Sequence, residues 1–128
     1  MNLAEVVKRA KAALLTKPAL KTEKVYIGSI DADITFHTVT MREKADLLEM
    51  AKGDDRLWMQ KMLLAGSDEL RRIAQELMNS GVIVQPEEVA NIMTEADQLK
   101  VFELIEKLSK EESNVFIGGK VEQEVKNS

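Results

Sequence analysis

The sequence predicts an α+β fold that is mostly α-helical, about six helices in all, with one N-terminal antiparallel β-hairpin packed on the helices. Three observations carry this. Between Ser67 and Leu108 the chain spells out three helices with their starts, stops and joints. Two short segments rich in β-branched and aromatic residues, Lys24-Val25-Tyr26-Ile27 and Ile34 to Val39, flank the turn from Gly28 to Asp33. The second segment runs straight into Thr40-Met41-Arg42-Glu43, a capping box that hands strand over to helix.

In chain order, residues 2–16 place Leu3, Val7, Ala10 and Leu14 at alternating spacings of four and three, with Val6 and Ala13 beside them. That is a narrow apolar seam on an otherwise charged helix. A helix of this length is marginal in water, so the seam requires a groove on its own domain or on another chain. The polar Lys17 to Glu23 stretch, with Pro18, reads as a linker. In the hairpin Ile34 and Phe36 face one way and Asp33, Thr35 and His37 the other. The capping box opens a helix whose Ala45, Leu48 and Ala51 are expected against the hairpin. Gly53-Asp54-Asp55 breaks that helix and caps the next, Arg56 to Leu64, whose run of leucines and methionines around Trp58 predicts a central position.

Ser67 can cap the following helix, with Leu70, Ile73, Ala74 and Leu77 on one face. Gly81 closes it through a left-handed residue, which a glycine adopts without strain. Pro86 suits a first helical position, with Glu87 and Glu88 at the positive helix end and Val89, Ile92 and Met93 as a short apolar stripe. Thr94 and Asp97 approximate a second capping box, opening a helix that carries Leu99, Val101, Phe102, Ile105 and Leu108. After the polar Lys110 to Ser113 comes Val115-Phe116-Ile117. Gly118-Gly119 then allows a weak hairpin against Lys120 to Val125, or a mobile tail. The predicted organisation is an amphipathic arm and linker over 1–21, one globular domain over 22–110, and the tail over 111–128.

Composition narrows the function. A chain of 128 residues is one domain, able to bury about two-thirds of its unfolded surface. Cysteine is absent, which removes disulfides and thiolate metal sites. The N-terminus is basic and amphipathic rather than a continuous apolar stretch, and no run approaches the ~20 apolar residues of a membrane span, so a soluble cytoplasmic protein is expected. Residues 1–24 hold Lys8, Arg9, Lys11, Lys17, Lys21 and Lys24 against Glu5 and Glu23, while the remainder is net negative. Without interleaved aromatics or a recognisable module, and with an acidic body that repels phosphate, this basic segment reads as a solvated helix face rather than a nucleic-acid surface.

With one histidine, no cysteine and no glycine-rich phosphate loop, no nucleophile and base can be paired, so the chain reads as a non-enzyme without a cofactor. Asp31, Asp33 and His37 are the nearest approach to a metal set. Aspartates in a turn bond the local backbone, however, and an outward histidine on a strand needs no metal. The methionines read as gap-filling in a helical core, and Trp58 as core before interface.

Two blocks of the sequence stand out together. The first is Val25 to Glu43, strand, acidic turn, strand and capping box. The second is Gly81-Val82 followed by Pro86-Glu87-Glu88-Val89 and a Leu/Ile-rich helix through Leu108. In order and spacing they resemble the tail assembly chaperones of long-tailed phages and prophage elements of Gram-positive bacteria, over about residues 22–110. The acidic turn is shorter than in that family, the segment before Pro86 differs from the family's, and the chain beyond Ser113 has no counterpart. The resemblance implies a chaperone in the host-cell cytoplasm that binds the tape-measure protein and keeps it soluble until tail-tube subunits polymerise around it, and that is absent from the mature virion. The tail-tube protein as a second partner and a homo-oligomer are further expectations, and the composition argues for no nucleic acid and no membrane as partners. The partner-binding residues read from the seam are Leu3, Val7, Ala10 and Leu14. Two other readings stand beside it: a tail-completion or connector protein retained in the particle, and a small DNA-binding regulator using the basic first helix.

Overall fold

The computed structural model describes residues 2–16, 20–112 and Val115. In chain order the elements are α1 (Leu3–Leu15), β1 (Thr22–Ile27), β2 (Ala32–His37), α2 (Met41–Ala51), α3 (Asp55–Ala65), α4 (Asp68–Asn79), a 3-10 helix (Pro86–Ile92) and α5 (Glu95–Glu111). This is the mostly helical α+β fold with a single N-terminal hairpin that the sequence predicts.

The strands pair antiparallel, with Val25 opposite Ile34 and Tyr26 opposite Asp33. Alternation sends Ile27, Ile34 and Phe36 into the core while Tyr26 and Asp33 stay exposed. The turn is a short 3-10 segment, Gly28–Ile30, closed by Asp31 in the left-handed region at φ 47°, a conformation aspartate tolerates better than most residues. β1 begins at Thr22, so the last two residues assigned to the linker, Thr22 and Glu23, belong to the strand. They pair in register with His37 and Phe36 of β2.

Thr40 caps α2 as predicted: its Oγ1 accepts the Glu43 N–H at 3.1 Å, and the Glu43 carboxylate reaches back to Thr40. The inward face of α2 differs from the sequence reading. Ala51 is buried as expected, but Ala45 and Leu48 are exposed, and Lys44 and Leu47 turn inward in their place. α2 packs chiefly on α3 rather than on the hairpin, and Lys44 Nζ meets Glu106 of α5 at 2.8 Å. The helix is therefore rotated by about one position from the expected phase. Lys44 tolerates this because its aliphatic stem covers apolar surface while its ammonium finds a carboxylate.

Asp54 caps α3 by accepting the Leu57 N–H at 3.0 Å. α3 is the central helix, packing on α2, α4, α5 and the 3-10 helix and burying Met62 and Leu63 completely. Ser67 accepts the Leu70 N–H at 3.1 Å to start α4. At its end Gly81 takes φ 74°, its N–H donates to Met78 O at 3.1 Å, and the Val82 N–H donates to Leu77 O at 2.9 Å. That pair of bonds is the Schellman closure expected of a left-handed glycine.

The Pro86 element forms as a seven-residue 3-10 helix. The Glu88 carboxylate draws in the N–H groups of Val84 (2.6 Å) and Gln85 (2.7 Å), fixing its start. Val89, Ala90 and Met93 are buried and Ile92 is half-buried. Thr94 accepts the Asp97 N–H at 3.2 Å to open α5. Leu99, one of the apolar residues read on this helix, is 49% exposed, and its neighbour Gln98 is 1% exposed. Gln98 Nε2 donates to Ala90 O (2.9 Å) and Met93 O (3.1 Å), and its Oε1 accepts from Gln60 at 3.3 Å. A buried polar network thus ties α3, α5 and the end of the 3-10 helix together. Trp58 is half-buried and meets Phe102 edge-on at 5.1 Å and 71°, so it serves the α3–α5 contact. Met62 and Met93 are buried, whereas Met41 is 83% exposed, so the methionines do not all fill the core. The proposed hairpin of Val115-Phe116-Ile117 against Lys120 to Val125 lies, apart from Val115, outside the described residues.

Candidate functional site

α1 starts where the Asn2 side chain accepts the Ala4 N–H at 2.9 Å, and Glu5 in its first turn suits the positive helix end. The helical spacing then brings Leu3, Val7, Ala10 and Leu14 onto one face, as the sequence predicts. No residue of α1 is buried: Leu3 is 70% exposed, Val7 56% and Leu14 87%. A packed amphipathic helix of a globular domain hides this face. Lys11 borders the seam on one side, four residues after Val7 and three before Leu14. Arg9 borders it on the other, three after Val6 and four before Ala13.

The arm joins the body beside a channel of about 560 Å³ between α2 and α5, lined by Leu20, Val39 and Met41 together with Lys44 and Glu106. The root is fixed there, because the Lys21 N–H donates to Glu112 at 2.7 Å and Lys21 Nζ meets Glu111 at 3.3 Å. Met41, Ala45 and Leu48 form an exposed apolar stripe on α2 along the same side chain spacing.

A second surface went unread in the sequence. The Thr35 N–H donates to Glu69 at 2.8 Å and the His37 N–H to Gly66 O at 2.7 Å, so both point away from β1. Inward and outward residues alternate in an antiparallel ladder, and each matches the residue opposite. Thr22, Lys24 and Tyr26, opposite His37, Thr35 and Asp33, therefore direct their N–H and C=O groups to the outer edge of β1. Among the described residues the sheet has two strands. Beside β1 lies a groove of about 430 Å³ lined by Val25, Ile27, Met93, Val101, Asp97 and Lys100. Such an edge can accept an extended chain through backbone pairing. The signal was available in principle, since a lone hairpin always leaves two edges to be covered.

Asp31, Asp33 and His37 are not gathered into one site. Asp31 accepts the Tyr26 hydroxyl at 2.5 Å, and this bond raises the Tyr26 pKa above the usual phenol value, with smaller contributions from burial and Asp33. His37 is half-buried rather than free on an outward face. Its Nδ1 lies 2.8 Å from Thr38 O and its Nε2 3.7 Å from Asp68, because α4 packs over that side of β2. Among the described residues no group of three His, Cys, Asp or Glu is placed to hold a metal ion, and no helix is long and apolar enough to cross a membrane.

Comparison of the chain with models of protein families, with curated proteins and with solved structures finds no match.

Proposed function

We propose that the protein is a non-enzymatic binding protein that holds an apolar, helical partner soluble, acting as a phage tail assembly chaperone on the tape-measure protein in the host cytoplasm and leaving before the virion is complete. The observation that carries this reading is α1: a capped thirteen-residue helix with its whole apolar face in solvent. An isolated helix of this length is marginal. Covering Leu3, Val7 and Leu14 is worth roughly 4 to 8 kcal/mol before the costs of ordering and association. That is enough to hold a client helix and small enough for growing tail-tube subunits to displace it. The resemblance over about residues 22–110 supplies the identity of the client.

Co-expression with a tape-measure fragment tests this. Wild-type protein should raise the soluble fraction of the fragment, and Val7→Asp with Leu14→Asp should abolish the gain while leaving the body folded. If the doubly substituted protein solubilises the fragment as well as the wild type does, α1 is not the binding element.

A further inference from the structure

We infer that the surface receiving α1 belongs to a partner protein and is an apolar helical stripe or groove bordered on both sides by carboxylates. This rests on the reading of α1 as the binding element and specifies the chemistry of what it binds. The apolar arc of α1 comprises Leu3, Val6, Val7, Ala10, Ala13 and Leu14; Arg9 lies at one margin, and the other holds Lys11 and Lys8 with the exposed Leu15 between them. Glu5, the one acid of the helix, sits three residues before Lys8 and four before Arg9, on the face opposite the arc. A partner closing over the arc strips water from Arg9 and Lys11, which is favourable only where carboxylates replace that water.

Charge opposes a second copy of the same arm. Two arms packed seam to seam set the Arg9 and Lys11 margins against identical margins, a like-charge arrangement that opposes pairing. A lipid surface fits less well than a protein. The arc has no tryptophan or phenylalanine to sit at a headgroup boundary. Ala10 and Ala13 leave a waist between the leucine ends, a relief that suits the ridge of another helix.

The test uses full-length protein and two labelled helical peptides with the same leucine face, one bordered by glutamates and one by lysines, read by fluorescence anisotropy at low and high salt. The glutamate-bordered peptide should bind about tenfold tighter at low salt, with the margin shrinking at high salt. Arg9→Glu with Lys11→Glu should reverse the preference, while circular dichroism shows the helix content retained. Equal binding of the two peptides overturns the inference but leaves α1 as the binding element. Binding of neither overturns both. Binding to phosphatidylglycerol vesicles in place of either peptide, or a dimer in light scattering that Leu14→Asp dissolves, assigns the arm to lipid or to a second copy and overturns the inference as well.

Discussion

Replacing Gln98 with leucine removes the hydrogen bonds of a buried side chain while keeping its approximate volume. Gln98 is 1% exposed, donates to Ala90 O at 2.9 Å and Met93 O at 3.1 Å, and accepts from Gln60 at 3.3 Å. The Ala90 carbonyl keeps the Met93 N–H at 3.0 Å, so it loses only its second donor. The Met93 carbonyl and the Gln60 amide lose the Gln98 partner in a buried setting, at about 1 to 3 kcal/mol each. Extra apolar burial from leucine returns about 1 kcal/mol. The expected net loss is about 2 to 3 kcal/mol, read as a lower urea midpoint at unchanged slope and a melting temperature down by roughly 10 °C. Gln60→Leu added to Gln98→Leu should recover about 1 kcal/mol, because the stranded amide is gone. A single variant as stable as the wild type would show that these bonds contribute nothing net, and the account of the polar core would be wrong.

Four further perturbations test other parts of the structure. Gly81→Val should cost about 1 to 2 kcal/mol, since the site is open to a Cβ but its φ of 74° strains a β-branched residue; an unchanged melting curve would remove the left-handed closure from the account. Gly66→Ala should cost about 1 to 3 kcal/mol, because its Cβ would lie 2.7 Å from Ile105 Cδ1 and 3.2 Å from His37 O, and Ile105→Val in the same chain should relieve part of it. Lys61 and Glu87 pair at 2.7 Å with side chains 14% exposed on each partner. Burial alone raises the Glu87 pKa, but the Lys61 hydrogen bond, a backbone N–H and the Lys61 charge outweigh it and lower the value overall. The pair therefore contributes stability above the unfolded carboxylate range, and that contribution is lost as pH falls through the depressed folded value. Lys61→Met should cost about 2 kcal/mol at neutral pH and reverse the sign of the Glu87 contribution, which urea titrations across acidic pH can read. Finally, Val7→Asp with Leu14→Asp should leave the melting temperature of the body unchanged to within about 2 °C, since α1 buries nothing; a larger fall would mean the arm is part of the folded core.

The sequence by itself determined whatever a few neighbouring residues settle. Ser67, Asp54, Thr94 and the Thr40–Glu43 box start their helices where they were read, because a cap is satisfied by a backbone N–H two or three residues away. Gly81 ends α4 because positive φ is a property of one residue, and alternation places Ile34 and Phe36 in the core because a strand has a period of two. The seam of α1 was legible in the same way, as spacing along a single helix. Tertiary structure decided which flank of each helix turns inward. Leu48 yields to Lys44 on α2 because Glu106, sixty-two residues later, is there to receive the ammonium. Leu99 yields to Gln98 on α5 because the end of the 3-10 helix presents the Ala90 and Met93 carbonyls, to which the Gln98 amide donates. Gly66 is fixed by Ile105 and His37, and the outward groups of Thr22, Lys24 and Tyr26 by the Glu69 and Gly66 partners of β2. In each case the deciding atom comes from a distant part of the chain, and helical periodicity, which reports spacing along one element, carries no information about what another element brings to its face.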